Sequence, residues 1–563
     1  MSTFGSLYVG TSGLQTGQNA LNTTAHNLAN VGTTGYTRQQ VYQAELEFNT
    51  VGSSSVSMMQ AGIGVSYAQA RQVRDYFLDK YYRTENGRQA FYETAFAATS
   101  EISTLFGEME GVAFQNSISE LYTSFEEFDK IPDDTNNQDL VILKANSFLE
   151  RAKEVFEGLK QYQIDVNEKV TTSVTRINEI GKEIITLNRQ ILTVESGGVE
   201  HANDLRDARN ALLDELSGYG KIDVKEGATG LVSVSFEDNE FVKETQLYKM
   251  DTYLDTATNF MIPIWSNQSD YTNERYQEVF NFNVAISSEK NTDIGSLKAY
   301  VLSRGDHVAN YTDIEGIAQD VYNKSLSSIS SVMSAQSQLD QLIHNMVTSI
   351  NDILSPLTTI TDDNGVTYQV WDAEHAVLGS DGKGPGEELF SRNSVSRYEK
   401  KTLTVNGQTT EYYVYNAENA NDKSTLYTLE NLKINTKLLE DESKLPHLGL
   451  NGAVDYEMTD KLVKVFSNSF ITLNPNSTTK LTIEEYYENM TDLFATRGSS
   501  FQNKALTVAS TAETVFNKRQ EIVGVSSDEE LSNMIKYQNA YNASTRYINV
   551  ISEMIEHLIT QLG

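Results

Sequence analysis

Histidines, cysteines and paired carboxylates are the side chains with which this chain could do chemistry, and their spacing supports none. His26, His201, His307, His344, His375, His447 and His557 stand singly, with no HExxH or similar metal spacing. Cysteine is absent, which removes thiol catalysis, thiolate metal sites and disulfides. No G-x-S-x-G elbow presents a serine nucleophile. Asp362-Asp363-Asn364-Gly365 begins like a calcium loop. It lacks the alternating ligands and carries Ala373 where the terminal Glu would stand, so it reads as an Asx-rich turn. Gly62-Ile63-Gly64 is too short to cradle a phosphate and reads as a turn. Glu126-Glu127 and Asp528-Glu529-Glu530 read as solvated faces or helix caps. The expectation is a protein that is not an enzyme, with no catalytic residue, metal or cofactor.

The elements that carry these residues point to assembly instead. The first 44 residues hold one formally charged side chain, Arg38, in a chain of net charge −33. Within them Leu7, Leu14, Leu21 and Leu28 recur every seven residues, with Phe4, Thr11, Gln18 and Ala25 between them. That 3-4 spacing predicts a helix packed on another helix. Its other face is Ser, Thr, Asn, Gln and Gly, neutral groups that need only hydrogen bonds when buried. At the other end, Met534, Tyr537, Tyr541, Ser544, Ile548, Ile551, Ile555, Leu558 and Leu562 repeat the spacing. Ser527 with Glu530 predicts a capping box there, and Asp528 and Glu529 suit the positive end of a helix dipole. Two such seams predict that the termini pair.

The balance of 77 Asp+Glu against 44 Lys+Arg argues against nucleic acid or an anionic membrane as partner. No stretch approaches the ~18 apolar residues of a membrane span, and the N-terminus lacks the basic and apolar regions of a cleavable signal. Pro132 is the first of only six prolines and Pro475 the last, leaving both ends free of helix breakers. Helix is expected from near Arg71 to Lys130 and from Asn137 to Glu195, the latter with a seam from Val170 to Val194. Further helices are expected over Asn203–Leu216, over Asp313–Leu354 and from Thr482 onward. Alternation predicts strands at Leu231–Phe236, Phe260–Trp265 and Phe280–Ile286. Thr402–Val405 and Thr409–Tyr415, joined by Asn406-Gly407, predict a hairpin. The Gly/Ser-rich stretch Val51–Gly64 reads as an extended or hairpin connection.

Residues 12–39 resemble the N-terminal motif of the bacterial flagellar rod, hook and hook-associated proteins. The core of the match is Asn27-Leu28-Ala29-Asn30 and Thr34-Gly35-Tyr36-Thr37-Arg38-Gln39. Residues 62–83, 105–108, 203–219 (NDLRDARNALLDELSGY), 429–446 and 524–559 resemble the hook-associated branch of that family. The match is poorest over 237–290 and 357–425. His26 departs from the motif, since many members have Asn there.

The resemblance implies a multidomain, mainly α fold with β inserts and discontinuous, nested domains. The terminal helices, 1–40 with 526–563, would pair as a coiled coil and form an inner tube. A helical bundle would take 41–216, 303–356 and 465–525. Two outward β-rich domains would take 217–302 and the variable insert 357–464. It implies an adaptor between hook and filament, exported unfolded through the flagellar type III apparatus without a cleaved signal. The implied partners are further copies of itself in a ring, the hook protein, a second junction protein toward the filament, and a cytosolic export chaperone on the C-terminal helix. The assembly residues would be Leu7, Leu14, Leu21, Asn27, Leu28, Asn30, Gly35, Tyr36, Tyr541, Ile548, Ile551, Ile555, Leu558 and Leu562. A hook or distal rod protein is the alternative within the family, although those generally lack the region 203–219. An adhesive or binding module in the insert is the alternative outside it.

Overall fold

The computed structural model describes residues 3–33, 35–53, 58–107, 114–198, 200–282 and 284–562. The chain is 55% helical, with several small sheets and a long C-terminal helix. Helix α1 (Thr3–Ala29) leads to two nested hairpins, β1 (Gln39–Glu45) with β4 (Val65–Gln72) around β2 (Asn49–Ser53) with β3 (Met58–Ala61). The inner hairpin falls in the Gly/Ser-rich connection, but β4 reaches Gln72, into the expected helix. That helix, α2 (Tyr76–Phe106), starts where the Asp75 carboxylate accepts from the amides of Phe77 and Leu78.

Helix α3 (Phe114–Lys130) precedes α4 (Thr135–Glu195), capped by Asp134. At 61 residues α4 spans about 90 Å. Its expected seam is buried from Val170 through Ile191 except at half-buried Leu187, while Val194 is exposed. Helix α5 (Asn203–Tyr219) turns back along it. Next come four antiparallel strands in sequential order, β5 (Ile222–Glu226), β6 (Val232–Phe236), β7 (Asn239–Lys243) and β8 (Gln246–Leu247), and a hairpin of β9 (Met250–Asp255) with β10 (Phe260–Trp265). Strand β6 buries Val232, Val234 and Phe236 and leaves the two serines between them half-buried, as its alternation requires. The expected strand Phe280–Ile286 is not formed among the described residues. Phe280 packs into the core, Val284 is exposed, and the nearby pairing is the isolated bridge of Glu278 with Ile264.

After α6 (Ser296–Arg304), the expected helix from Asp313 is broken into single turns as far as Ile329. Continuous helix begins at α7 (Ser331–Leu354), where Ser330 caps. The second β block holds β11 (Leu357–Thr361), β12 (Thr367–Trp371), β13 (Val377–Leu378), β14 (Phe390–Arg392), β15 (Tyr398–Val405), β16 (Gln408–Tyr415) and β17 (Leu432–Ile434). The expected hairpin is β15–β16, with Asn406 at φ 52° and Gly407 at φ 75°, the left-handed pair that its two-residue turn needs. The block was expected to stay β-like to about Lys464, but its end is helix α8 (Tyr456–Ser467). Asp362 makes the expected Asx turn, its carboxylate accepting from the amides of Asn364 and Val366. Helices α9 (Ile483–Val523) and α10 (Ser527–Leu562) close the chain.

Two apolar clusters line up along α4. One gathers Val141–Leu159 of α4 with α3, α7, α8, the start of α9 and residues Phe390, Tyr427 and Leu432 of the insert. The other gathers Val170–Ile185 of α4 with α5, β6, β7 and Trp265.

Two titratable groups are buried on α7, beside the first cluster. Asp340 is fully buried and accepts from the amides of Tyr311 and Leu429, and burial pushes its carboxyl up to about 7. Burial opposes a charge on His344, but the Glu315 carboxylate 3.4 Å away and a hydrogen bond to Glu418 outweigh it and hold the imidazole up to about 9. Both values are raised on folding. The stability from Asp340 is therefore complete below its ordinary 3.8 and lost as pH rises through about 7. That from His344 is complete below 6.5 and lost as pH rises through about 9. Calorimetry should show the melting temperature falling from pH 5 to pH 10. His344→Gln should flatten the limb between 7 and 9, and an unchanged limb would refute the assignment.

Candidate assembly interface

Helices α1 and α10 lie side by side and antiparallel. Gly10 faces Ile548, Gly13 faces Ser544 and Gly17 faces Tyr541, so an advance along α1 is a retreat along α10. A Cβ at Gly10 would stand 2.7 Å from Ile548 Cγ1, and one at Gly13 would stand 2.7 Å from Ser544 Oγ. Gly10 and Gly13 thus set a backbone approach that a Cβ would disturb, while one at Gly17 would stand 3.4 Å from Tyr541, at ordinary contact distance.

The buried side of α1 is Gly10, Thr16, Gly17, Ala20, Thr24 and Asn27. Leu7, Leu14, Leu21 and Leu28 are only half-buried, and Thr11, Gln18 and Ala25 are exposed. The leucine repeat therefore marks the flank of the contact. The small residues mark its centre, because closest approach selects the face with least side chain. On α10 the expected face is the one used. Tyr541, Ser544, Ile548 and Ile555 are half-buried and Ile551 is buried, while Leu558 is 46% exposed. Thr34 and the side chains of Phe4 and Leu562 lie outside the described residues. Gly10→Val should separate the helices. Limited proteolysis should then remove α1 faster than in the unsubstituted chain while α2–α9 resist, and equal rates would count against this packing.

Beyond α1, the motif residues lock one loop. The Asn27 carboxamide donates to the Gln39 carbonyl at 2.8 Å and accepts from the Gln39 amide at 3.0 Å, standing in for a strand partner. The Tyr36 hydroxyl donates to the same Asn27 oxygen at 2.8 Å. His26 Nδ1 lies 3.0 Å from that hydroxyl, so the departure at 26 keeps a hydrogen bond. Asn30 donates to the His26 carbonyl and accepts from the Thr33 hydroxyl, closing the helix end. Gly35 supplies φ 83° for the turn. Burial, with Asp204, Asp207 and Glu530 nearby, raises the Tyr36 phenol well above its ordinary value, so it acts as a donor.

Asp207 on α5 ties this loop to the body. It accepts from the Thr37 hydroxyl at 2.6 Å, the Thr37 amide at 3.0 Å and Gln72 Nε2 at 2.7 Å. Burial raises its carboxyl, while the bonds from Thr37 favour its charge. Arg38 joins the loop to α10, 2.7 Å from Glu529 and 3.1 Å from Glu530. Glu530 is thus a buried ion-pair partner, and the expected capping box with Ser527 is not formed. Ser526 stands at the helix start instead, its carbonyl accepting from the Glu530 amide. Deeper, Arg519 of α9 reaches Asp214 of α5 at 2.8 Å and Asp79 of α2 at 3.4 Å. Arg74 holds Asp79, and Arg83 holds Asp214. Sequence reading missed Asp207, Arg519 and the glycine stripe. Only the last had a local signal, the 3-4 spacing of Gly10, Gly13 and Gly17.

Three family models match the chain. Residues 99–366 match the flagellar hook-associated protein FlgK helical domain. Residues 7–37 match the flagella basal body rod protein model, and 517–562 match the C-terminal model of flagellar basal body rod FlgEFG proteins. The flagellar hook-associated protein 1 of Bacillus subtilis is 26% identical over 572 residues, covering 100% of this chain and 99% of that protein. The chain belongs to the flagellar hook-associated protein 1 family. Its relative in Escherichia coli is 21% identical over 97% of this chain and 98% of that protein. The flagellar hook junction protein FlgK of Burkholderia pseudomallei shares the fold, with a TM-score of 0.52 at 11% identity, over 78% of this chain and 99% of that one. The terminal matches fall on α1 and α10, the two helices that the fold sets side by side. Among the described residues no group of His, Asp and Glu could hold a metal ion, and no helix is long and apolar enough to cross a membrane.

Proposed function

We propose that this chain is a structural subunit of the bacterial flagellum, an adaptor that joins hook to filament and has no enzymatic activity. The observation that carries the reading is the likeness to hook-associated protein 1 over the whole length, including both terminal helices. In this reading α1 and α10 are one coiled-coil unit of an inner tube, built from copies of the chain arranged in a ring. The remainder is divided into nested domains that face outward. Helix α10 supports this with a second apolar face in Tyr547, Val550, Met554, Leu558 and Ile559, all at least 40% exposed, which suits neighbouring terminal helices. The hook protein meets one side of the ring and a second junction protein the other. The chain is exported unfolded, with a chaperone on α10 until export.

Immunogold labelling of isolated flagella tests this directly. Label confined to the point where hook meets filament supports the reading. Label along the filament, or on the rod or hook, overturns it.

A further inference from the structure

Cysteine is absent and tyrosine occurs 30 times, so no disulfide can staple this chain, but a link between tyrosine rings can. Among the described residues three tyrosine pairs bring their rings together, and one is much closer than the others. Tyr253 of β9 and Tyr276 in the segment after β10 stack with centroids 3.9 Å apart and planes 24° from parallel. Tyr271 meets Tyr276 edge-on at 5.8 Å, and Tyr398 meets Tyr415 at 6.4 Å. Ring pairs ordinarily stand about 4.5–7 Å apart. At 3.9 Å the carbons of the two rings are in van der Waals contact.

The backbone holds this arrangement. The Trp265 amide donates to the Gln277 carbonyl at 2.8 Å, and the Gln277 amide donates to Ser269 Oγ at 3.0 Å. The amides of Asp270 and Arg275 donate to each other's carbonyls. Tyr276 is thereby fixed against Tyr253. Both are half-buried, while Tyr271 is 52% exposed. The Tyr271 hydroxyl donates to the Asp251 carboxylate at 3.0 Å. One exposed phenol with its own proton acceptor thus touches a stacked pair behind it.

We propose that Tyr253 and Tyr276 form a dityrosine cross-link when a haem peroxidase with hydrogen peroxide acts on this unit. The oxidant takes one electron from Tyr271, and its phenol proton passes to Asp251. Tyr276 returns an electron to Tyr271, which recovers its proton from Asp251. Tyr276 releases its own proton to water and is left as a phenoxyl radical. A second one-electron oxidation makes the same radical on Tyr253. The two radicals couple through ring carbons ortho to oxygen, and the displaced ring hydrogens move to the oxygens to restore two phenols. The chain loses two electrons and two protons in all, and one hydrogen peroxide takes them up to become two waters. Stacking makes the coupling a unimolecular step between rings already in contact. The chemistry is confined to β9 and the segment after β10, so its failure leaves the junction role untouched.

Mass spectrometry and fluorescence of the full chain, after brief exposure to a haem peroxidase and hydrogen peroxide, test the proposal. The expected product is a monomer lighter by two hydrogen atoms, with dityrosine emission and one linked fragment pair that holds Tyr253 and Tyr276. Tyr276→Phe keeps a ring in the stack but removes the phenol, so it should abolish that pair with circular dichroism unchanged. Tyr271→Phe should form the same pair several-fold more slowly. Links only between copies, links only at other tyrosines, or the absence of any link overturn the proposal. An unchanged rate in Tyr271→Phe overturns the route through Tyr271.

Discussion

Ile551→Asp should leave the purified chain folded and its principal melting transition in place, yet cells carrying it should fail to attach filaments. Ile551 is 7% exposed on the face of α10 that meets α1, one turn beyond the Ile548–Gly10 contact. A carboxylate there has no cationic partner, and burying one unpaired costs several kcal/mol. Both apolar clusters are built from α2–α9, the sheets and the insert, so neither depends on this residue. Electron microscopy should show hooks without filaments, with filament subunits released into the medium. An assay of the secreted fraction separates two causes. Export of the variant with no filaments supports the assembly role, whereas retention in the cell points to a weakened chaperone complex. Normal filaments would show that this face is not an assembly interface.

Arg519→Met should destabilise the body of the molecule more than any surface change. The guanidinium sits between Asp214 and Asp79 and lies 4.4 Å from the Tyr82 ring centre, so one side chain binds α9 to α5 and α2. Its loss leaves each carboxylate with a single arginine, and breaking a buried pair costs about 3–5 kcal/mol. The first calorimetric transition should move down by several degrees, and Arg519→Lys should recover only part of the loss because lysine cannot span both acids. An unchanged transition would mean that Arg74 and Arg83 suffice.

Long periodic segments were legible in the sequence. Helix α4, the α10 seam through Ile555 and the Asn406-Gly407 hairpin follow from local pattern alone. The failures have long-range causes. Phe280–Ile286 alternates like a strand, but among the described residues it joins no sheet, and Phe280 and Phe282 pack into the second apolar cluster instead. Strands β1 and β4 are read poorly because they pair with each other across an intervening hairpin and are braced by Asn27 and Ser12 on α1, 12 and 53 residues away from their bonding partners Gln39 and Val65. The leucine repeat misplaces the centre of the α1 contact, because hydrophobicity is not what sets it. The structure uses the absence of side chains at Gly10, Gly13 and Gly17. Asp207 and Arg519 gave no local sign, since each meets residues more than a hundred positions distant.

Helix α4 has a mechanical consequence. It passes without a break from one apolar cluster into the other, so no linker separates them and no hinge can form between them short of melting a helical turn. Strain applied at the sheets packed along it is carried along hydrogen bonds parallel to the helix axis, and the two halves must tilt together. A Pro at Gln163, between the clusters, would turn this strut into a joint.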